Sequence, residues 1–169
     1  IGREAADLDA ICLTHDHHDH IAGVGVLSRR CSLPVHANPG TFAGGEATLK
    51  KLWQRQEFET GDEFVVNDLA IRSFRISHDT ADPVGYVIKS DRATIGYCTD
   101  TGRTSHLMRQ RLSGCDAVIL EFNHNLQLLK NGPYPPALQQ RVRSSQGHLA
   151  NEDAAAFLQT LLHKGLQLV

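Results

Sequence analysis

The sequence predicts an α/β domain of mixed sheets flanked by helices, on three observations. Near the start, the apolar run Ala10-Ile11-Cys12-Leu13 leads into a stretch rich in histidine and aspartate, then into a helix-like segment. From Phe58 to Cys98 the texture is that of short antiparallel strands separated by turn residues. From Ser105 onward helical segments again alternate with an apolar run. Strand and helix alternation at both ends of a β meander is the pattern of mixed sheets rather than a doubly wound parallel series.

Taken in order, Ile1 to Asp9 is charged and reads as the tail of a loop or helix. Ala10 to Leu13 is a buried strand, and Ile21 to Arg30 a short helix with two interior glycines, Gly23 and Gly25. Each glycine costs about 1 kcal/mol of helix propensity, so close approach by a neighbour is expected there. Pro34-Val35-His36-Ala37 is a strand, and Asn38 an N-cap before a helix from Thr41 to Trp53. Phe64-Val65-Val66, Leu69 to Ser77, Val84 to Lys89 and Thr94 to Cys98 form the meander. Its turns fall at Gly61-Asp62, Asn67-Asp68 and Ser90-Asp91. Ser105 to Leu112 is helical, Ala117 to Phe122 is a strand apolar enough to be buried on both faces, and Pro135-Pro136 opens a basic helix that runs through Arg143. The last helix spans Asn151 to Lys164, with Asn151 as N-cap, Glu152 and Asp153 in the first turn, and Gly165 as its stop. Leu166-Gln167-Leu168-Val169 begins another strand.

At 169 residues the chain has a one-domain length. Hydrophobic content of 41%, charged content of 21% and a net charge of −2 are those of an ordinary globular chain and exclude a strongly basic nucleic-acid coat. No apolar run reaches the ~18 residues that a membrane span requires. Cys12, Cys31, Cys98 and Cys115 form no C-x-x-C pair, and three of them sit in or beside apolar runs. They read as reduced, buried thiols, which points to the cytoplasm.

The chemistry concentrates in Thr14-His15-Asp16-His17-His18-Asp19-His20. Four imidazoles and two carboxylates stand where a strand ends and a helix begins, and both are ligand types for divalent metals. In extended chain, residues two apart point the same way, so His15 and His17 can grip one metal. Asp19 and His20 arrive as the chain turns into the helix and can grip a second, while Asp16 and His18 point elsewhere.

The pattern His15-x-His17-x-Asp19-His20 after a strand resembles that of the metallo-β-lactamase superfamily. That resemblance implies a four-layer αβ/βα sandwich with a dinuclear site at one edge. Three later fragments extend it. Ser77-His78-Asp79, followed by Gly85-Tyr86, is similar to the phosphodiesterase branch that includes ribonuclease Z, which makes His78 the third histidine on metal one. Tyr97-Cys98-Thr99-Asp100-Thr101-Gly102 puts Asp100 where the branch keeps its bridging carboxylate; a shared anion lowers the repulsion between two cations. Leu120-Glu121-Phe122-Asn123-His124-Asn125 and Gly147-His148-Leu149-Ala150-Asn151, with Tyr134-Pro135-Pro136 and the basic helix between them, resemble the YycJ (WalJ) group, linked to 5′–3′ DNA exonuclease activity.

The resemblance implies a phosphodiester hydrolase, an exonuclease-like nuclease acting on DNA, with a hydroxide held by two divalent metal ions. Zinc suits the histidine-rich ligation and manganese stays open. The expected ligands are His15, His17 and His78 for metal one, Asp19 and His20 for metal two, and Asp100 between them. The expected catalytic residues are Asp19, His148 as proton donor facing the phosphate, and His124 as a supporting or substrate-touching group. Arg141, Arg143 and Lys130 are the candidate contacts to backbone phosphates. Two other readings stay open: a same-fold hydrolase of a thioester or lactam, and a non-catalytic module stabilised by metal. The family sandwich opens with strands carrying a glycine- and serine-rich turn, and it ends with one further metal-two histidine. Neither reads in this sequence, so the expectation is a single domain over 1–169 that is truncated at both ends.

The two-residue alternation makes a direct prediction. His17→Ala should remove metal one, whereas His18→Ala should leave metal content nearly intact; elemental analysis of both variants would show equal loss if the faces are assigned wrongly.

Overall fold

In a computed structural model describing residues 2 and 4–167, two sheets pack face to face between two helical layers. The first sheet is parallel. It holds β1 (Ile11–Cys12), β2 (Pro34–Ala37) and β3 (Gln54–Glu57) in that order. Between β1 and β2 run α1 (His18–Ile21) and α2 (Val24–Cys31); between β2 and β3 run α3 (Pro39–Gly44) and α4 (Glu46–Leu49). The second sheet holds β4 (Glu63–Val66), β5 (Leu69–Arg75), β6 (Val84–Lys89) and β7 (Thr94–Cys98) as an antiparallel meander. After α5 (His106–Leu112), β8 (Ala117–Leu120) joins parallel to β7. The chain then forms α6 (Leu126–Asn131), α7 (Pro136–Val142) and α8 (Asn151–Gln159).

Strand alternation builds the layers. On β6, Val84, Tyr86 and Ile88 face the other sheet and pack with Phe58 and Ile71. Its opposite face carries Val87 toward Phe74, Met108, Leu112 and Phe157, the core under α5 and α8. Gly85 is on that face too, because a Cβ there would stand 2.5 Å from the Phe74 ring and 2.8 Å from the Tyr97 carbonyl. A third cluster, with Leu13, Val24, Val35, Phe42 and Leu49, lies between the first sheet and its helices. The result is the expected four-layer α/β sandwich.

Several boundaries differ from expectation, each for a tertiary reason. The helix foreseen from Thr41 to Trp53 breaks at Gly45, whose missing side chain admits Leu49 and Ile21, and it ends at Leu49. The polar segment Gln54-Arg55-Gln56-Glu57 is then a strand because pairing to β2 satisfies its backbone. The helix foreseen over Ile21 to Arg30 is two helices, α1 and α2. Of its glycines, Gly25 meets the Lys51 carbonyl 3.3 Å from an added Cβ, while Gly23 faces open space. β8 is not buried on both faces: Val118 is 1% exposed but Ile119 is 49% exposed, because the inter-sheet cluster stops at Tyr97 of β7. The last helix starts with Ala150 as N-cap and ends at Gln159. His163 therefore lies outside it, with Nε2 3.0 Å from the Cys115 carbonyl. Leu166 and Gln167 form no strand, although the Gln167 amide donates to the Asp116 carbonyl; Leu168 and Val169 lie outside the described residues. All four cysteines are unpaired. No described helix is long and apolar enough to cross a membrane.

The exit of β1 is stitched to both sheets. The Leu13 amide donates to the His36 carbonyl, the Val84 amide to the Thr14 carbonyl, and the buried Tyr86 hydroxyl to the Leu13 carbonyl. Tyr86→Phe would leave that buried carbonyl short of a donor. Urea denaturation should show a loss of about 1–3 kcal/mol; an unchanged unfolding midpoint would mean that the hydroxyl carries no load in the junction.

Candidate metal centre

From the stitched residues Leu13 and Thr14 the chain stays extended to His17 (φ −60°, ψ 141°), and α1 starts at His18. The extended backbone sends His15 into the interior, where it is fully buried. Its Nδ1 lies 3.0 Å from Thr14 Oγ1, but its Nε2 has no hydrogen-bond partner. Burial, and then the neighbouring imidazoles of His20 and His78, push the His15 pKa down to about 3. The ring is thus neutral, with a buried nitrogen that wants a partner.

His78 completes a nest with His15 and His17, the three ligand atoms all within 4.8 Å of one another. Its tautomer follows from its neighbours. His78 Nδ1 donates to the Gly147 carbonyl at 3.0 Å, so Nε2 carries the lone pair. His17 Nε2 lies 3.2 Å from Asp79 Oδ1, an acceptor, which turns His17 Nδ1 toward the nest. His17 Nδ1 and His78 Nε2 face each other at 3.2 Å. Zinc–nitrogen bonds of 2.0–2.1 Å put two tetrahedral ligands about 3.3–3.4 Å apart. The nest therefore fits a divalent cation, by the orphaned His15 nitrogen and by ring nitrogens of His17 and His78 spaced as two ligands of one ion would be.

A second group joins His15, His20 and Asp100. His20 Nε2 is 3.9 Å from Asp100 Oδ2 and 3.8 Å from Asp19 Oδ2. Asp100 follows β7 in the left-handed region (φ 54°), which aspartate tolerates better than most residues. Burial raises its pKa, but the Thr99 hydrogen bond and the facing His20, His15 and His148 outweigh this and hold the carboxyl below its usual range. Asp19 is 83% exposed and belongs to no three-ligand group among the described residues.

A third group joins His78, Asp100 and His148. His148 Nδ1 lies 2.9 Å from Glu121 Oε2 and 3.7 Å from Asp100 Oδ1. The Glu121 hydrogen bond raises the His148 pKa despite partial burial. Glu121 does more: its Oε1 accepts the amides of Thr101 at 2.6 Å and Leu149 at 3.2 Å. It thereby fixes the residues beside Asp100 and His148 together. Sequence reasoning quoted Glu121 but gave it no role. The available signal was a carboxylate directly after an apolar strand, the same argument that singled out Asp100.

Two glycines close the centre. A Cβ on Gly147 would stand 2.2 Å from the Arg141 carbonyl and 2.3 Å from that of Val142; one on Gly102 would meet Gly147 N at 2.5 Å. Only glycine lets the 147 carbonyl reach His78. The cleft in front, about 350 Å³, is lined by His17, Asp19, His20, Asp100 and His148, with Arg141 at its edge. Arg141 Nε donates to Asp79 Oδ2 at 2.6 Å, and this hydrogen bond is the main reason the Asp79 carboxyl titrates low. Arg143, the C-cap of α7, and Lys130, in the last turn of α6, do not line the cleft. His18 is exposed and lines the cleft without joining a ligand group; Asp16 turns instead toward Gly44. His124 lies next door, its Nδ1 3.3 Å from Asn123 Oδ1 and its pKa lowered by burial.

The donor set, imidazoles with carboxylates, is that of a divalent metal site. Comparison with known proteins agrees. Residues 1–168 match the family described as beta-lactamase superfamily domain. The chain is 40% identical over 166 residues to exodeoxyribonuclease WalJ of Streptococcus pneumoniae, covering 95% of this chain and 62% of that protein. It is 38% identical over 151 residues to exodeoxyribonuclease YycJ of Bacillus anthracis, covering 88% and 57%. The chain thus spans about three fifths of the length of these curated relatives. In structure it resembles zinc-bound PqqB from Methylobacterium extorquens, with a TM-score of 0.70 at 19% identity over 89% of this chain and 57% of that one. By sequence over nearly its whole length, and by its two packed sheets and flanking helices, the chain belongs to the beta-lactamase superfamily domain family and has the metallo-β-lactamase fold.

Proposed function

We propose that this chain carries the hydrolytic centre of a metal-dependent phosphodiesterase, an exonuclease-like nuclease acting on DNA in the cytoplasm. The observation that carries the reading is His148. Its ring lies beside the nest, 5.1 Å from that of His78 between centroids, yet its Nδ1 is engaged by a carboxylate, Glu121. A histidine so held can present its other nitrogen to a substrate. The names of the WalJ and YycJ relatives support the choice of a nucleic-acid phosphodiester, and of DNA. The unpaired cysteines favour a reducing compartment.

In this reading His15, His17 and His78 would hold one divalent ion, Asp19 and His20 would contribute to a second, and Asp100 would serve both. Zinc suits the imidazole-rich set, with manganese the alternative. Bound ions would supply Lewis acidity toward the phosphoryl oxygens and acidify water. The rest is done by the chain itself. Glu121 orients His148 and favours its doubly protonated form, so that Nε2 can give a proton to the leaving oxygen. Asp79 orients His17 and fixes Arg141, whose guanidinium borders the cleft where a phosphate oxygen would come. Arg143 and Lys130 stand outside the cleft and suit phosphates further along a strand. His124 buttresses the His148 side.

Two measurements test this. The metal-loaded full-length protein that carries this chain should cleave end-labelled DNA, lose that activity to a chelator, and leave nitrocefin and thioesters untouched. Turnover of a thioester or lactam without phosphodiester cleavage would overturn the reading in favour of a carbon-centre hydrolase. Second, His148→Ala should keep its metal content yet slow DNA cleavage by about 10²–10⁴, the size of a general-acid contribution. Glu121→Gln should slow it less. Loss of metal from His148→Ala would make that residue a ligand instead.

A further inference from the structure

Beside the metal cleft lies a second cavity of about 530 Å³, within the size range of small-molecule sites. The two adjoin, with Leu138, Val142 and His148 lining both. Their chemistry differs. The cleft is built of imidazoles, carboxylates and a guanidinium, whereas no Lys, Arg, Asp or Glu lines the second cavity. Its walls are Leu128, Leu129 and Tyr134, facing Asn123 and His124. Leu128 is 75% exposed and Tyr134 51% exposed, a large apolar surface left uncovered beside a polar centre. The Asn123 backbone amide donates to the Leu149 carbonyl and its Oδ1 is engaged by His124, while its side-chain Nδ2 donates to no described residue.

We propose that this cavity is a nucleobase subsite, holding the base of the nucleotide whose phosphate sits in the metal cleft. The inference rests on the phosphodiesterase reading and deepens it. A nucleoside whose phosphate is in the cleft lies beside Leu138, Val142 and His148, the residues the two cavities share. What it meets there is an uncharged, apolar cavity with an aromatic ring and a free amide. That suits a planar heterocycle with polar edges and does not suit another phosphate. Tyr134 offers a face for stacking, which tolerates any base, and Asn123 a donor for a base edge. The Tyr134 backbone is held independently of its ring, since its carbonyl accepts from Gln139 Nε2 at 2.9 Å. Removing the ring therefore does not remove the turn.

The test uses the metal-loaded full chain and two probes, thymidine 5′-monophosphate and 2-deoxyribose 5-phosphate, by calorimetry. The native protein should bind the nucleotide about tenfold more tightly than the sugar phosphate, the usual size of one stacking contact. Tyr134→Ala should abolish that difference without changing sugar-phosphate binding, and Tyr134→Phe should restore it. Equal binding of the two probes by the native protein, or a Tyr134→Ala loss that is the same for both, overturns the subsite. Cleavage of an oligonucleotide with an abasic terminal nucleotide separates the two ideas. Base-dependent binding without cleavage of any phosphodiester leaves the subsite standing and removes the hydrolase reading. Cleavage that ignores the base, with equal probe binding, does the reverse.

Discussion

Two imidazole nitrogens held 3.2 Å apart, His17 Nδ1 and His78 Nε2, are the constraint around which this fold is arranged. Neither ring can turn to relieve the contact. His78 is tied through Nδ1 to the Gly147 carbonyl, and His17 is held through Nε2 by Asp79. A third nitrogen, His15 Nε2, is buried alongside with no partner. A folded chain leaves such groups together only where something else completes them, because a buried unsatisfied nitrogen costs about 1–3 kcal/mol. The hydrogen bonds that orient each ring hold its free nitrogen toward the centre, the role that outer contacts play in metal sites generally.

The scaffold supplies this arrangement from strand ends. His15 and His17 leave β1 of the first sheet, His78 leaves β5 of the second, and Asp100 and Glu121 leave β7 and β8. Charged and polar groups belong there because the backbone at a strand end is no longer committed to the ladder, while the flanking cores stay apolar. The two sheets must then keep register with each other. The Tyr86 hydroxyl and the Val84 amide achieve this by bonding the backbone of Leu13 and Thr14, the residues just before His15. The Gly85-Tyr86 pair is thus a mechanical part of the site although it lies outside it: glycine admits the Phe74 ring on one face, and tyrosine ties the sheets on the other.

Close backbone approach is the other device. Gly102 and Gly147 bring the loop after β7 against the turn after α7, and neither tolerates a Cβ. Glu121 then gathers both loops by accepting the Thr101 and Leu149 amides with one oxygen and holding His148 with the other. One buried carboxylate therefore couples the residue beside Asp100 to the residue beside His148. The family relationship, over nearly the whole chain, is consistent with a structure whose separated segments all serve one edge.

Much of this was legible in the sequence because it is local. His15 and His17 share a side by strand alternation, Asn38 caps a helix by residue type, and the meander follows from turn residues between alternating runs. What the sequence could not decide depended on partners distant in the chain. Gln54 to Glu57 is polar and becomes a strand only because β2 lies beside it. The helix before it breaks in two because Gly45 must admit Ile21 from another helix. Ile119 is exposed because the first sheet does not reach β8. Arg141 is spoken for by Asp79, 62 positions earlier, and Glu121 acquires its place only when Leu149 and Thr101 fold onto it. Residue type and spacing determine which groups can bind a metal or turn a chain; only the tertiary structure decides which ring nitrogens end up facing one another, since that depends on the hydrogen bonds made by the far side of each ring.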